Sequence, residues 1–244
     1  LRRLEIMDNE QPLGAHELRA PINPDTTGIS VAMIEDIALR IGIAEGRVTM
    51  VSLAEQLKVG VGVIDSVMTA LRDRMLVEFE GLDGRSYRLS VTQAGREHSR
   101  QRSTECRYAG PLPVPLDLYC RVVHAQRPNL HLDRDRLTRA YSDLVIAPEL
   151  IDQLGPAICG DGAMFLYGPP GTGKSSIAER MIRAHEDSVL IPHCVEVQGQ
   201  IITVFDPVLH HPLPTQPPEL DPRWVVCKRP AVIAGGELHS GMLD

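Results

Sequence analysis

Three glycines, a lysine and two serines stand close together in Gly168-Pro169-Pro170-Gly171-Thr172-Gly173-Lys174-Ser175-Ser176, and their types suit one task, the holding of a row of phosphates. A triphosphate crowds negative charge into a small volume, so a loop that binds it must bring several backbone N–H groups close with no side chains between. Gly171 and Gly173 permit that approach and any positive φ the loop requires. The spacing Gly168-x-x-x-x-Gly173-Lys174-Ser175 places Lys174 to reach the β- and γ-phosphates. It also places the Ser175 hydroxyl to join the shell of a Mg²⁺ that otherwise keeps waters and phosphate oxygens. Pro169 and Pro170 stiffen the entry. Ala163 to Tyr167 reads as a short buried strand before the loop and Ser175 to Ala184 as a helix after it, whose free N–H groups and positive dipole end would face the anion. With spacing and flanks both in agreement, a chance glycine-rich turn is the poorer account.

The elements that must position this loop belong to a chain of 244 residues, long enough for two units that each bury a core. It is 43% hydrophobic and 23% charged, with a formal net charge of -7. That balance argues against a protein that coats nucleic acid and leaves a local basic patch open. No apolar run approaches the ~18 residues of a membrane span, and Leu1 to Ala20 lacks a signal-peptide core, so the cytoplasm is expected. Cys106, Cys120, Cys159, Cys194 and Cys227 are scattered and read as reduced thiols. His193-Cys194 and His210-His211 are adjacent pairs that suit tetrahedral coordination poorly, so no metal beyond a nucleotide's Mg²⁺ is expected. The chain opens on Leu1 and stops at Asp244 without a terminating element, which leads us to expect a piece of a longer protein.

Residues 1–29 mix charges with prolines and are expected as a flexible arm. From Ser30, Ile34, Ile37, Ala38 and Ile41 recur at helical spacing, with Glu35, Asp36 and Arg40 on the opposite side. Ser52-Leu53-Ala54-Glu55 has the form of a capping box for a second helix. After the turn Val59 to Gly62, a third helix carries Ile64, Val67, Met68 and Leu71. Two strands, Met75 to Glu80 and Arg85 to Ser90, are expected around a turn at Gly81 to Gly84. Three helices and a hairpin predict a winged helix-turn-helix over residues 30–103. Residues 104–115, including Pro111, Pro113 and Pro115, are expected as a Pro-rich linker. The remainder, 116–244, is expected as an α/β domain around the phosphate loop, with strands at 189–191, 195–197 and 201–205 and a turn at Gln198 to Gln200. Asp206 to Pro222 is proline-rich and is expected to be irregular; His210 and His211 there read as loop histidines.

Tyr87-Arg-Leu-Ser-Val-Thr92-Gln-Ala-Gly95-Arg96 resembles the second wing strand and final-helix start of bacterial winged-helix domains, with Thr92 as N-cap. Tyr141 to Gly155 resembles the opening of AAA+ ATPase modules, and Gly168-Pro-Pro-Gly-Thr-Gly-Lys-Ser is similar to the P-loop wording common in that family. Together these segments resemble bacterial AAA+-type P-loop ATPases that carry an N-terminal winged helix. The resemblance implies a parallel-sheet P-loop NTPase core, ATP and Mg²⁺ as cofactors, hydrolysis, and a ring-like homo-oligomer. It also implies that Leu144, Val145 and Ile146 line the adenine pocket, although three apolar residues there would serve equally as ordinary core.

The motif set is incomplete. Hydrolysis needs an apolar strand ending in an Asp for the Mg²⁺ shell and commonly a Glu that activates water. Ile201 to Asp206 is interrupted by Thr203 and followed by Pro207, and Ala231 to Glu237 has no Asp at the strand end. The acidic strand, the sensor and the arginine finger are therefore expected beyond Asp244, so that this piece binds ATP and scarcely hydrolyses it. For the winged helix, ten Lys plus Arg balance ten Asp plus Glu between Val31 and Ser103, whereas DNA binders are usually basic. The third helix turns Asp65, Ser66, Thr69, Arg72 and Asp73 outward. Docking of a protein partner is thus the leading role, and an ATP-regulated DNA-binding regulator, with Arg85 and Arg88 on phosphates, is the alternative. Those two arginines would equally suit a solvated hairpin edge. A small-molecule kinase is a third reading, without an Arg-rich lid to support it.

Overall fold

The helical period that begins after Ser30 is realised as α1 (Val31–Glu45), with the Ser30 hydroxyl accepting from Met33 N at 3.3 Å. The structure is a computed structural model and describes residues 13–83, 86–102, 106–126, 134–159, 165–184 and 187–230. There follow β1 (Arg47–Thr49), α2 (Met50–Leu57), α3 (Val61–Asp73), β2 (Val77–Asp83), β3 (Ser86–Val91), α4 (Gln93–Arg102), β4 (Val114–Pro115) and α5 (Leu116–Ala125). Then come α6 (Arg134–Ala140), α7 (Pro148–Cys159), α8 (Lys174–Ala184), β5 (Ser188–Pro192), β6 (Cys194–Val197), β7 (Gln200–Thr203) and β8 (Trp224–Lys228). The fold class is mixed α/β, with sheets ordered β1-β3-β2, β4-β6-β7 and β5-β8. Among the described residues no helix is long and apolar enough to cross a membrane.

The chain divides into two compact units. The first comprises Leu1–Ala125, Leu190–Asp206 and Leu213–Val226, and the second Gln126–Val189, Pro207–Pro212 and Cys227–Asp244. In the first unit Ile34, Ile37, Leu53, Leu57, Ile64, Met68, Leu71 and Leu89 share one core. Each such burial contributes about 1.5–3 kcal/mol against chain entropy. Glu35 and Asp36, expected on the solvent side of α1, are buried. α1 is packed on more than one side, and the acids are compensated by Arg74 at 2.7 Å and Arg102 at 2.6 Å.

Local chemistry shifts two further boundaries. Thr49, not Ser52, caps α2, its Oγ1 accepting from Ser52 N at 3.1 Å. β2 continues through Gly81 to Asp83, because the register slips between Phe79 and Gly81 and the bulged strand keeps its pairing with β3 past the expected turn. Thr92 caps α4 as expected, accepting from Gly95 N at 3.0 Å. A Cβ on Gly95 would stand 2.2 Å from Leu76 O, so only glycine fits there.

The described part of the expected arm, from Leu13, is held in place: Asn23 caps a 3₁₀ turn (Pro24–Thr27), and Asp221 N donates to Leu18 O at 2.8 Å. Residues 108–115, expected as a linker, are extended yet lie inside the first unit. Leu112 and Val114 are wholly buried, and Leu112 N donates to Leu57 O at 2.8 Å. β4 runs parallel to β6, and β6 pairs antiparallel with β7 across Gln198-Gly199, both at positive φ as a two-residue hairpin requires. Leu118 and Val122 of α5 pack with Val114, Val195 and Trp224. Under them lies an ion pair with almost no exposure. Arg223 forks onto Asp221 at 2.8–3.2 Å, and its Nη1 donates to Thr27 O at 2.8 Å and Pro113 O at 3.0 Å.

In the second unit α6, α7 and α8 bury Leu137, Ala140, Tyr141, Leu154 and Ile158. Among the described residues the only parallel pairing is β4 with β6, two residues long and in the first unit. Among the described residues of the second unit, the parallel-sheet core expected around the glycine-rich loop is not seen.

Candidate functional site

The loop ahead of α8 takes a backbone shape that its glycines make possible. Gly168, Gly171 and Gly173 have φ of 147°, 80° and 81°. An L-residue in the left-handed region loses about 1–2 kcal/mol. A Cβ at Gly171 or Gly173 would meet nothing within 4 Å, so conformation and not crowding sets the requirement. Gly168 to Gly173 and Ser175 are exposed, and Lys174 and Ser176 are half-buried.

α8 starts directly from the loop, with Ile177 N donating to Gly173 O at 2.9 Å. The N–H groups of Lys174, Ser175 and Ser176 occupy its first turn, where no intrahelical acceptor exists. Lys174 Nζ folds back to donate to Gly168 O at 3.0 Å and Pro169 O at 2.8 Å, and Thr172 Oγ1 donates to Pro169 O at 2.9 Å. The loop thus holds the Lys174 ammonium against its own carbonyls at the start of α8. An arriving anion can replace these neutral carbonyls as the ammonium's acceptor and add the attraction of opposite charges.

The segment before the loop departs from expectation. Phe165 and Tyr167 are 85% and 94% exposed, and Phe165 to Gly168 form no strand; Ala163 and Met164 lie outside the described residues. A strand buried on both faces requires a neighbour to satisfy its N–H and C=O groups, and among the described residues none pairs with this segment.

Behind the loop, the turn after α6 is closed by Leu144 N donating to Tyr141 O at 2.9 Å. Leu144 and Ile146 are half-buried in the cluster that includes Ile177 and Met181 of α8, whereas Val145 between them is fully exposed. The three residues expected in one apolar pocket are therefore divided, two inward and one outward. Tyr141 OH donates to Ile177 O at 3.2 Å, and burial pushes its phenol up to about 12. Arg180 grips Asp143 with Nη2 to Oδ2 at 2.9 Å and Nε to both oxygens at 3.3–3.4 Å. Sequence reading missed these partners. The paired residues are 36 and 37 positions apart and carry no local signal.

The carboxylates considered for hydrolysis fall elsewhere. Asp206 is an exposed residue of the first unit, and Glu237 lies outside the described residues. Among the described residues no group of three or more His, Cys, Asp or Glu could hold a metal ion. Ser175, the residue expected in a Mg²⁺ shell, is exposed at the start of α8. No protein-family model matches the chain. No curated protein matches it either.

On the first unit, α3 exposes Asp65, Ser66, Arg72 and Asp73, with Thr69 half-buried. Arg72 lies 5.4 Å from the Phe79 ring centroid. Arg47 pairs with Glu80, Arg100 with Glu97, and Arg40 donates to Tyr108 O. Arg88 is also engaged, and Arg85 lies outside the described residues. The start of α3 is approached by the N-terminal segment: Cβ atoms on Gly60 and Gly62 would stand 3.4 Å from Pro21 O and 3.1 Å from Ile22 O.

Proposed function

We propose that this chain is the nucleotide-binding part of an AAA+-type ATPase that takes a nucleoside triphosphate with Mg²⁺ at Gly168 to Ser175, and that residues 31–103 are a winged helix for partner docking. The observation that carries the first part is the conjunction at one helix start: three glycines at positive φ, a Lys174 ammonium held against the loop's carbonyls, and the first-turn N–H groups of α8. In this reading the backbone N–H groups and Lys174 bind the phosphates, Ser175 contributes to the Mg²⁺ shell, and Val145, the exposed residue of its turn, meets the base. Lys174 acts by charge at a fixed place, which steadies bound phosphates without generating a nucleophile. Ring-like self-association belongs to the same proposal.

For the winged helix, the support is α1 to α3 followed by the β2–β3 hairpin, with β1 completing the sheet. Partner docking is favoured over duplex DNA because several cations of this segment already hold carboxylates of their own fold. Steep salt dependence of duplex binding would favour the DNA regulator instead.

The deciding experiment is calorimetric titration of Mg-ATP into wild type and Lys174→Ala. Loss of a charged hydrogen-bond donor weakens binding by about 1.5–3 kcal/mol, roughly ten- to a hundredfold. Equal affinities would exclude the assignment.

A further inference from the structure

The turn after α6 is attached to α8 by contacts of two different kinds. Leu144 and Ile146 of the turn and Ile177 and Met181 of α8 all pack against the one buried cluster of Leu137, Ala140, Tyr141, Leu154 and Ile158, an apolar association that holds the parts together without fixing a register. Tyr141 OH to Ile177 O and the Asp143–Arg180 fork are directional. Arg180 is itself preset on the helix, since its Nη1 donates to Glu179 at 2.7 Å and to Ser176 O at 3.4 Å. A planar guanidinium held in this way fixes both the distance and the orientation of the carboxylate it grips. Asp143 remains 41% exposed, so the pair adds little to stability and its consequence is geometric.

We infer that Asp143 and Arg180 are positioning residues that set the Val145 turn in register with the phosphate loop. This rests on the nucleotide reading above. Lys174 and Arg180 belong to one helix, so a fork at Arg180 ties the turn to the same rigid rod that carries the phosphate donors. Val145 projects from that turn, wholly exposed, while Leu144 and Ile146 on either side are turned inward. A ligand that touches the turn with its base and the loop with its phosphates is bound at two linked places. The gain from linkage exists only while their spacing matches the ligand. The two acids beside Arg180 therefore differ in role: Glu179 holds the guanidinium on α8, and Asp143 carries the turn to it.

The test compares Mg-ATP with inorganic triphosphate, which lacks the base, on the full chain. In wild type ATP binds tighter than triphosphate. Asp143→Ala weakens ATP about fivefold and leaves triphosphate within about twofold, while Asp143→Glu restores most of the loss. Thermal melting checks that each variant folds, and Asp143→Asn serves in place of Asp143→Ala if the latter does not. Equal loss for both ligands, or no loss for ATP, overturns the positioning role while leaving nucleotide binding standing. A wild type that binds triphosphate as tightly as ATP removes the base contact and the inference with it. A wild type that binds neither ligand overturns the nucleotide reading itself.

Discussion

His193 illustrates how one residue acquires behaviour that its sequence position does not announce. Burial, aided by the nearby Lys58 cation, lowers its pKa from 6.5. The unfolded chain then takes up the proton first on acidification, so the stability contributed by neutral His193 is complete above about pH 6.5 and is lost as pH falls toward the folded value. Glu17 acts in a separate window. Its hydrogen bond from Arg121 lowers its pKa below 4.5, so its contribution persists until more acid conditions. Urea midpoints should therefore fall between about pH 8 and about pH 5 in wild type and fall less in His193→Gln. Identical pH profiles would show that this imidazole is not the group responsible. The half-burial of His193 could not be foreseen from its position beside Cys194, because it depends on segments far away in sequence.

Helices and strands were legible where one face meets the core and mistaken where local chemistry had two solutions. α2 is the clearest case. Ser52 to Glu55 matches the capping-box string, yet Thr49 is the cap and Ser52 is the third residue of the helix. The two arrangements make opposite demands on mutation. Thr49→Ala should cost about 1 kcal/mol, whereas Ser52→Ala should cost only a few tenths, as measured by urea denaturation. A larger loss at Ser52 would restore the capping box. The β2–β3 hairpin is present as expected, but β2 runs past its expected end for a related reason. Gly81 was read as turn chemistry, and in the structure it takes φ of 131° beside a bulge while the strands run on. A glycine announces an unusual φ; whether a turn or a bulge uses it depends on the partner strand.

At the scale of the whole molecule, Asp221 and Arg223 join segments that lie far apart in sequence. Arg223 reaches Thr27, 196 positions away, and Pro113, 110 positions away, while holding Asp221 beside it. All of these belong to the first unit, so its integrity depends on a proline-rich stretch that reads as an irregular excursion. Arg223→Ala leaves a buried, unpaired carboxylate and should destabilise that unit by about 3–5 kcal/mol. Replacing both partners, Asp221→Ala with Arg223→Met, should recover part of the loss, and denaturation of the two variants checks the order. Equal stability of wild type and Arg223→Ala would show that water can take over the guanidinium's place.

The sequence by itself determined the backbone shape of the glycine-rich loop before α8 and the faces of most helices in the first unit, because both depend on neighbours within a few positions. Glycine alone takes the φ of the loop readily, Lys174 and Ser175 stand at the start of α8, and Ile34, Ile37, Ala38 and Ile41 fall on a helical stripe. Tertiary structure alone decided that Glu35 and Asp36 are buried with arginines, that Leu112 and Val114 belong to a core, and that Asp143 meets Arg180. Each of those outcomes turns on a partner tens of residues away. Burial and ion pairing depend on which surfaces come together, and a local sequence pattern holds no record of that.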